Sequence, residues 1–185
     1  MRRLEVREGF VVLLAALWCV DESGVLPLVL LAAAVHEGGH LVTLRLSGGR
    51  LHRLCLTACG AVLHGALPAG RCARAAVCLA GPAASLALTA LAAQAGAWRL
   101  AGASALLGLF NVLPLPPLDG GAALGHLAGG RFAAGRGALA VCAAAGLLAA
   151  GAALAAQGGG CWLLLVGGAV CAQPAKALAK RRRGV

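Results

Sequence analysis

Residues 25–46 read VLPLVLLAAAVHEGGHLVTLRL. A run of this length is long enough to cross a bilayer as a helix, which takes about 20 mostly apolar residues. His36, Glu37 and His40 interrupt its apolar core. On a helix, positions i and i+4 share a face, so His36 and His40 project to the same side. Two imidazoles on one face can bind one zinc ion, and a Glu between them can act as a general base. Two His and a Glu in apolar surroundings are costly without a metal or another partner to satisfy them. The plainer alternative is a polar patch between packed helices. Gly38 and Gly39 are poor helix formers, but they permit close approach of another helix or of a substrate backbone.

The rest of the chain has the same character. Of its 185 residues, 61% are hydrophobic and 12% are charged. A soluble domain usually carries about 25% charged residues. Disorder is excluded as well, because disordered chains have low hydrophobicity. The runs 75–98, 100–118 and 137–175 carry no charge, and Gln157-Gly158-Gly159-Gly160 divides the last one. This pattern predicts an all-α polytopic membrane protein with about six transmembrane helices at 6–21, 25–46, 75–97, 100–128, 134–156 and 161–178. The segment 47–70 is too polar and too interrupted by glycine for a further span. Leu51, Arg53, Cys55 and Thr57 alternate with His52, Leu54 and Leu56, and Gly60 offers a turn, which predicts a small membrane-associated β-hairpin with strands at 51–57 and 61–66. One integral-membrane domain is expected over 1–185. It has a catalytic core at 25–130, C-terminal spans at 134–178 and a basic tail at 179–185.

The net charge of +10 raises the question of nucleic acid. The cations follow a membrane-topology pattern instead. With the N-terminus in the cytoplasm, every Lys and Arg except Arg99 falls on the cytoplasmic side of the six spans, as the positive-inside rule requires. No nucleic-acid partner is therefore expected. The expected location is the bilayer, with both termini cytoplasmic. A cleaved leader fits residues 1–20 less well, because Glu5 and Glu8 spoil the basic start and no small-x-small site follows. The eight cysteines form no Cys-x-x-Cys pair and read as small hydrophobes.

A catalytic zinc site needs three protein ligands and an open position for water. Beyond His40, the candidates for the third ligand are His52, His64, Asp119 and His126. Asp119 is the one carboxylate in that part of the chain. It lies in Asn111-Val112-Leu113-Pro114-Leu115-Pro116-Pro117-Leu118-Asp119-Gly120, where the prolines break the helix. Irregular backbone at membrane depth is tolerated only where it is buried or lines a cavity. At 1.5 Å per residue, His40 lies roughly 9 Å and Asp119 roughly 14 Å from the cytoplasmic ends of their spans. The two segments can thus meet on the cytoplasmic side.

Together, H-E-x-x-H in an early span and N-x-x-P-x-P-x-L-D-G in a later one resemble the site-2 protease family of intramembrane zinc metalloproteases. The second motif matches at Asn111, Pro114, Pro116, Leu118, Asp119 and Gly120. A third family feature, Gly-Pro followed by Asn, is present in part as Gly81-Pro82-Ala83-Ala84-Ser85. The layout is most similar to the stage IV sporulation protein FB branch. That branch often carries a nucleotide-sensing CBS domain, which this sequence lacks, so nucleotide control is not expected.

The resemblance implies one Zn2+ held by His36, His40 and Asp119. Glu37 would move the proton of the attacking water, and Asn111 would hold the substrate backbone or the developing oxyanion. Gly81, Pro82, Pro114, Pro116 and Gly120 would shape the site or position the substrate. The hairpin would pair with an extended substrate strand. The implied partners are a transmembrane or membrane-associated protein substrate, a regulatory membrane protein and the lipid bilayer, most simply that of a bacterial cell. His52 and His64 read as solvated or interfacial residues, with substrate contact as the alternative. His126 is open to a supporting contact. Two other readings compete. An inactive client-binding relative predicts a damaged motif, and a metal or ion transporter predicts inverted repeats or acids in several spans. Neither signature is present.

Overall fold

The computed structural model describes residues 3–57, 60–115 and 118–128. The expected spans 134–156 and 161–178, the tail 179–185 and Pro116 lie outside them. The described elements are strand β1 (Arg3–Val6), helices α1 (Glu8–Val20) and α2 (Leu26–Leu46), strands β2 (Arg50–Thr57) and β3 (Gly60–Ala66), and helices α3 (Arg71–Gln94), α4 (Trp98–Val112) and α5 (Asp119–Ala128). The chain forms two compact units, residues 1–113 and 114–185.

In the first unit, the element boundaries follow from local chemistry. Helix α2 begins with Pro27 in its first turn, where the missing N–H costs nothing. The Asp21 carboxylate accepts from the Val25 and Leu26 amides at 3.1 and 2.8 Å, which satisfies donors that the first helical turn leaves over. Helix α2 ends where Gly48 turns left-handed at φ +79°. The Gly49 amide then returns to the Leu44 carbonyl at 2.8 Å, a glycine-dependent helix stop. Arg99, at the start of α4, donates to the Ser23 carbonyl at 3.0 Å and ties α4 to the α1–α2 turn.

The hairpin forms as expected, with β2 and β3 antiparallel and Leu54 opposite Leu63. It belongs to a larger sheet than the sequence predicts. Strand β1 joins it in parallel on the far side of β2, with Leu4 opposite Leu54, so the order is β1-β2-β3. Arg53 crosses to Glu5 at 2.9 Å. An expectation of helices plus one hairpin is therefore corrected to mostly helices with a three-stranded sheet.

The six-span count is not supported. Among the described residues, two helices are long and apolar enough to cross a membrane, α2 and α3, with 21 and 24 residues. The expected first span gives up its start to β1, and α1 keeps 13 residues, or about 20 Å. The expected fourth span is broken before its prolines, as the sequence predicts. Helix α4 stops at Val112 because Pro114 follows. The residue before a proline is pushed to extended backbone, and Leu113 sits at φ −54°, ψ 136°.

Candidate metal centre

Helices α2 and α3 run antiparallel, and their meeting faces carry the site. Val77, Gly81 and Ser85 lie at i, i+4 and i+8 on α3, one stripe of that helix. His40 faces Val77 and His36 faces Ser85. The gap between these contacts is Gly81, where a Cβ would overlap the His40 imidazole. Gly39 is packed in the same way, with the Ala80 carbonyl oxygen 2.5 Å from where a Cβ would stand. Gly38 has nothing within 4 Å of that position, so of the two motif glycines only Gly39 serves this close approach.

Both imidazoles are buried, with 4% of His36 and 6% of His40 exposed. His40 Nδ1 lies 2.7 Å from the Val77 carbonyl oxygen. A carbonyl only accepts, so Nδ1 carries the proton and Nε2 the lone pair. Pro82 lies within α3 and contributes no N–H to the helix ladder. His36 Nδ1 lies 2.9 Å from Ser85 Oγ, and a hydroxyl can serve either tautomer.

The two Nε2 atoms are 3.3 Å apart, with the rings edge to face at 78°. Two nitrogens bound at 2.0–2.1 Å to a tetrahedral zinc lie about 3.3 Å from each other. The separation, the burial and the partners holding each Nδ1 all fit a metal taken by the two Nε2 atoms. Glu37 follows His36 on α2 and is half-buried.

Asn111, in the last turn of α4, donates through Nδ2 to the Leu107 carbonyl at 3.0 Å. This contact orients the amide along the helix wall. His64 stands opposite Arg53 in the sheet, and His52 sits at the irregularity between Leu51 and Arg53.

In the second unit, Asp119 is the first residue of α5 and is half-buried. A carboxylate is favoured at a helix N-terminus. Leu115 and Leu118 are buried on either side of the proline pair, and Gly120 is buried next to Asp119. His126 lies two turns further along α5 and is half-buried. Pro114 is half-buried.

Sequence reasoning did not find the partners of the two histidines. A buried polar group must be hydrogen-bonded, so each imidazole required an acceptor. Ser85 and Ser104, hydroxyls in apolar runs, were the available signal. Both are 0% exposed.

No family model matches the sequence, and no curated protein matches it. The fold is similar to that of a solved structure, the Site-2 Protease from Methanocaldococcus jannaschii, with a TM-score of 0.67. The likeness covers 91% of this chain and 87% of that one at 17% sequence identity. At that identity it is a likeness of fold.

Proposed function

We propose that this chain is an intramembrane zinc metalloprotease that hydrolyses peptide bonds of membrane-embedded or membrane-associated proteins. The observation that carries the reading is the buried His36–His40 pair, with Nε2 atoms 3.3 Å apart and Glu37 between them, in a chain with the fold of a site-2 protease. The membrane setting is supported by apolar side chains that face outward along the helices. Val12 is 68% exposed, Trp18 65% and Leu106 73%. Exposed apolar surface on this scale marks contact with lipid or protein.

In this reading, His36 and His40 hold the metal through Nε2, and Asp119 is the third ligand. Bound there, zinc supplies a Lewis acid that acidifies a water and polarises a carbonyl. Glu37 accepts the proton of the attacking water and returns it to the leaving amine. Asn111 donates a hydrogen bond to the substrate backbone or to the oxyanion as it forms. A substrate must be extended at the cut, because helical carbonyls are occupied by their own hydrogen bonds. The hairpin supplies a strand for it to pair with.

Kinship with the stage IV sporulation protein FB branch, a bacterial cell membrane and cytoplasmic termini rest on the motifs and the charge pattern. So does a regulatory membrane partner. The reading is tested by metal analysis of the purified full chain and by hydrolysis of a fluorogenic single-span peptide in detergent micelles. One zinc per chain and chelator-sensitive cleavage are expected. A chain without zinc would overturn the reading.

A further inference from the structure

His36 and His40 are held differently. His40 leans on backbone, the Val77 carbonyl. His36 leans on a side chain, the Ser85 hydroxyl. Ser85 is itself fixed from several directions. It is fully buried. Its carbonyl accepts from Thr89 Oγ1 on its own helix at 2.9 Å and from Ser104 Oγ on α4 at 2.8 Å. Gly108 of α4 lies against its Cβ, so closely that a side chain there would stand 2.9 Å away. Helix α4 thus presses Ser85 toward α2.

We infer that Ser85 is a positioning residue for metal binding. Its hydroxyl accepts a hydrogen bond from His36 Nδ1–H, which places the ring's lone pair on Nε2 and aims it at the point that His40 Nε2 also addresses. The inference rests on the zinc-site reading above. It follows from the asymmetry of the two contacts. A carbonyl can only accept, so the Val77 contact by itself fixes His40 in the ligating tautomer, whereas a hydroxyl can serve either tautomer and Ser85 holds His36 in the ligating one by accepting. Partners of this kind, which orient a metal-binding histidine through its other nitrogen, are worth about ten- to a hundredfold in metal affinity.

The test uses the full chain in detergent, with Zn2+ in competition with a chromophoric chelator. It compares wild type, Ser85→Ala and Ser104→Ala. The Ser104 variant removes a hydroxyl from the same buried layer, but its bond goes to the Ser85 backbone carbonyl, which α3 itself holds in place, so the Ser85 hydroxyl keeps its contact with His36. Ser85→Ala is expected to weaken Zn2+ binding about ten- to a hundredfold, while Ser104→Ala stays within about twofold of wild type. The absorption bands of bound Co2+ are expected to shift in Ser85→Ala and to stay in place in Ser104→Ala. Thermal midpoints of both variants show whether a general loss of packing accompanies either change. Wild-type affinity in Ser85→Ala, or equal losses in both variants, would overturn the positioning role and leave the zinc site standing. A wild-type chain that binds no Zn2+ would overturn both.

Discussion

His36 Nε2 and His40 Nε2 stand 3.3 Å apart inside the α2–α3 contact, although their residues are one helical turn apart in sequence. Turn spacing alone places two side chains on one face and leaves their rotamers open. Here the rotamers are set from across the interface, by Val77 and Ser85 of α3. The pair is therefore a product of the helix packing, and changes on α3 should alter it without touching α2.

The sharpest such change is Gly81→Ala. The new methyl would overlap the His40 imidazole, and overpacking of this kind costs about 1–3 kcal/mol. Gly38→Ala adds a methyl where nothing lies within 4 Å, and it replaces a poor helix former with the best one, a gain of up to about 1 kcal/mol. The expected result is a lower thermal midpoint and weaker zinc binding for Gly81→Ala, and an unchanged or higher midpoint for Gly38→Ala. Differential scanning fluorimetry in detergent measures the midpoints.

Asp119→Ala removes the carboxylate assigned as third ligand. Zinc content per chain, measured by metal analysis after gel filtration, should fall well below that of wild type. Asp119→Asn should lower it as well, because a neutral amide is a poor substitute for a charged oxygen donor on zinc. Wild-type occupancy in both variants would assign the third position to another residue.

The sheet carries a pH-sensitive contact of its own. The Arg53 hydrogen bond to Glu5, aided by the charges of Arg53 and Arg7, holds the Glu5 carboxyl below its ordinary value of 4.5. Its contribution to the β1–β2 pairing is therefore fully present above pH 4.5 and is lost as the pH falls through the lowered value. The effect on stability is small, because both side chains are solvent-exposed. The titration itself is measurable. The carboxyl carbon resonance of Glu5 should titrate below 4.5 in wild type and move back toward 4.5 in Arg53→Ala.

Much of this was legible in the sequence, and the limits have physical causes. The motif helix α2, the hairpin and the break at the prolines were readable because each depends on neighbouring residues: 3.6-residue spacing, period-two alternation and missing N–H groups. Strand β1 was not readable. Four residues, Arg3–Val6, gain strand structure by pairing with Arg53–Leu56, and a short strand has no periodicity that separates it from the flank of an apolar helix. The expected first span, 6–21, is shortened to α1 at the same place, since an apolar run does not state how much of itself is helix. Ser85 was visible as part of a motif, but its role was not. That role depends on which rotamer His36 adopts across a helix interface.

The central claim is that Glu37 moves protons beside a metal held by His36 and His40. Glu37→Gln keeps the shape and removes the base. In one preparation, zinc content and cleavage of the single-span peptide can be compared between wild type and this variant. The account predicts unchanged zinc, with cleavage reduced by at least about a hundredfold, the usual contribution of a general base. Wild-type cleavage by Glu37→Gln with its zinc in place would contradict it.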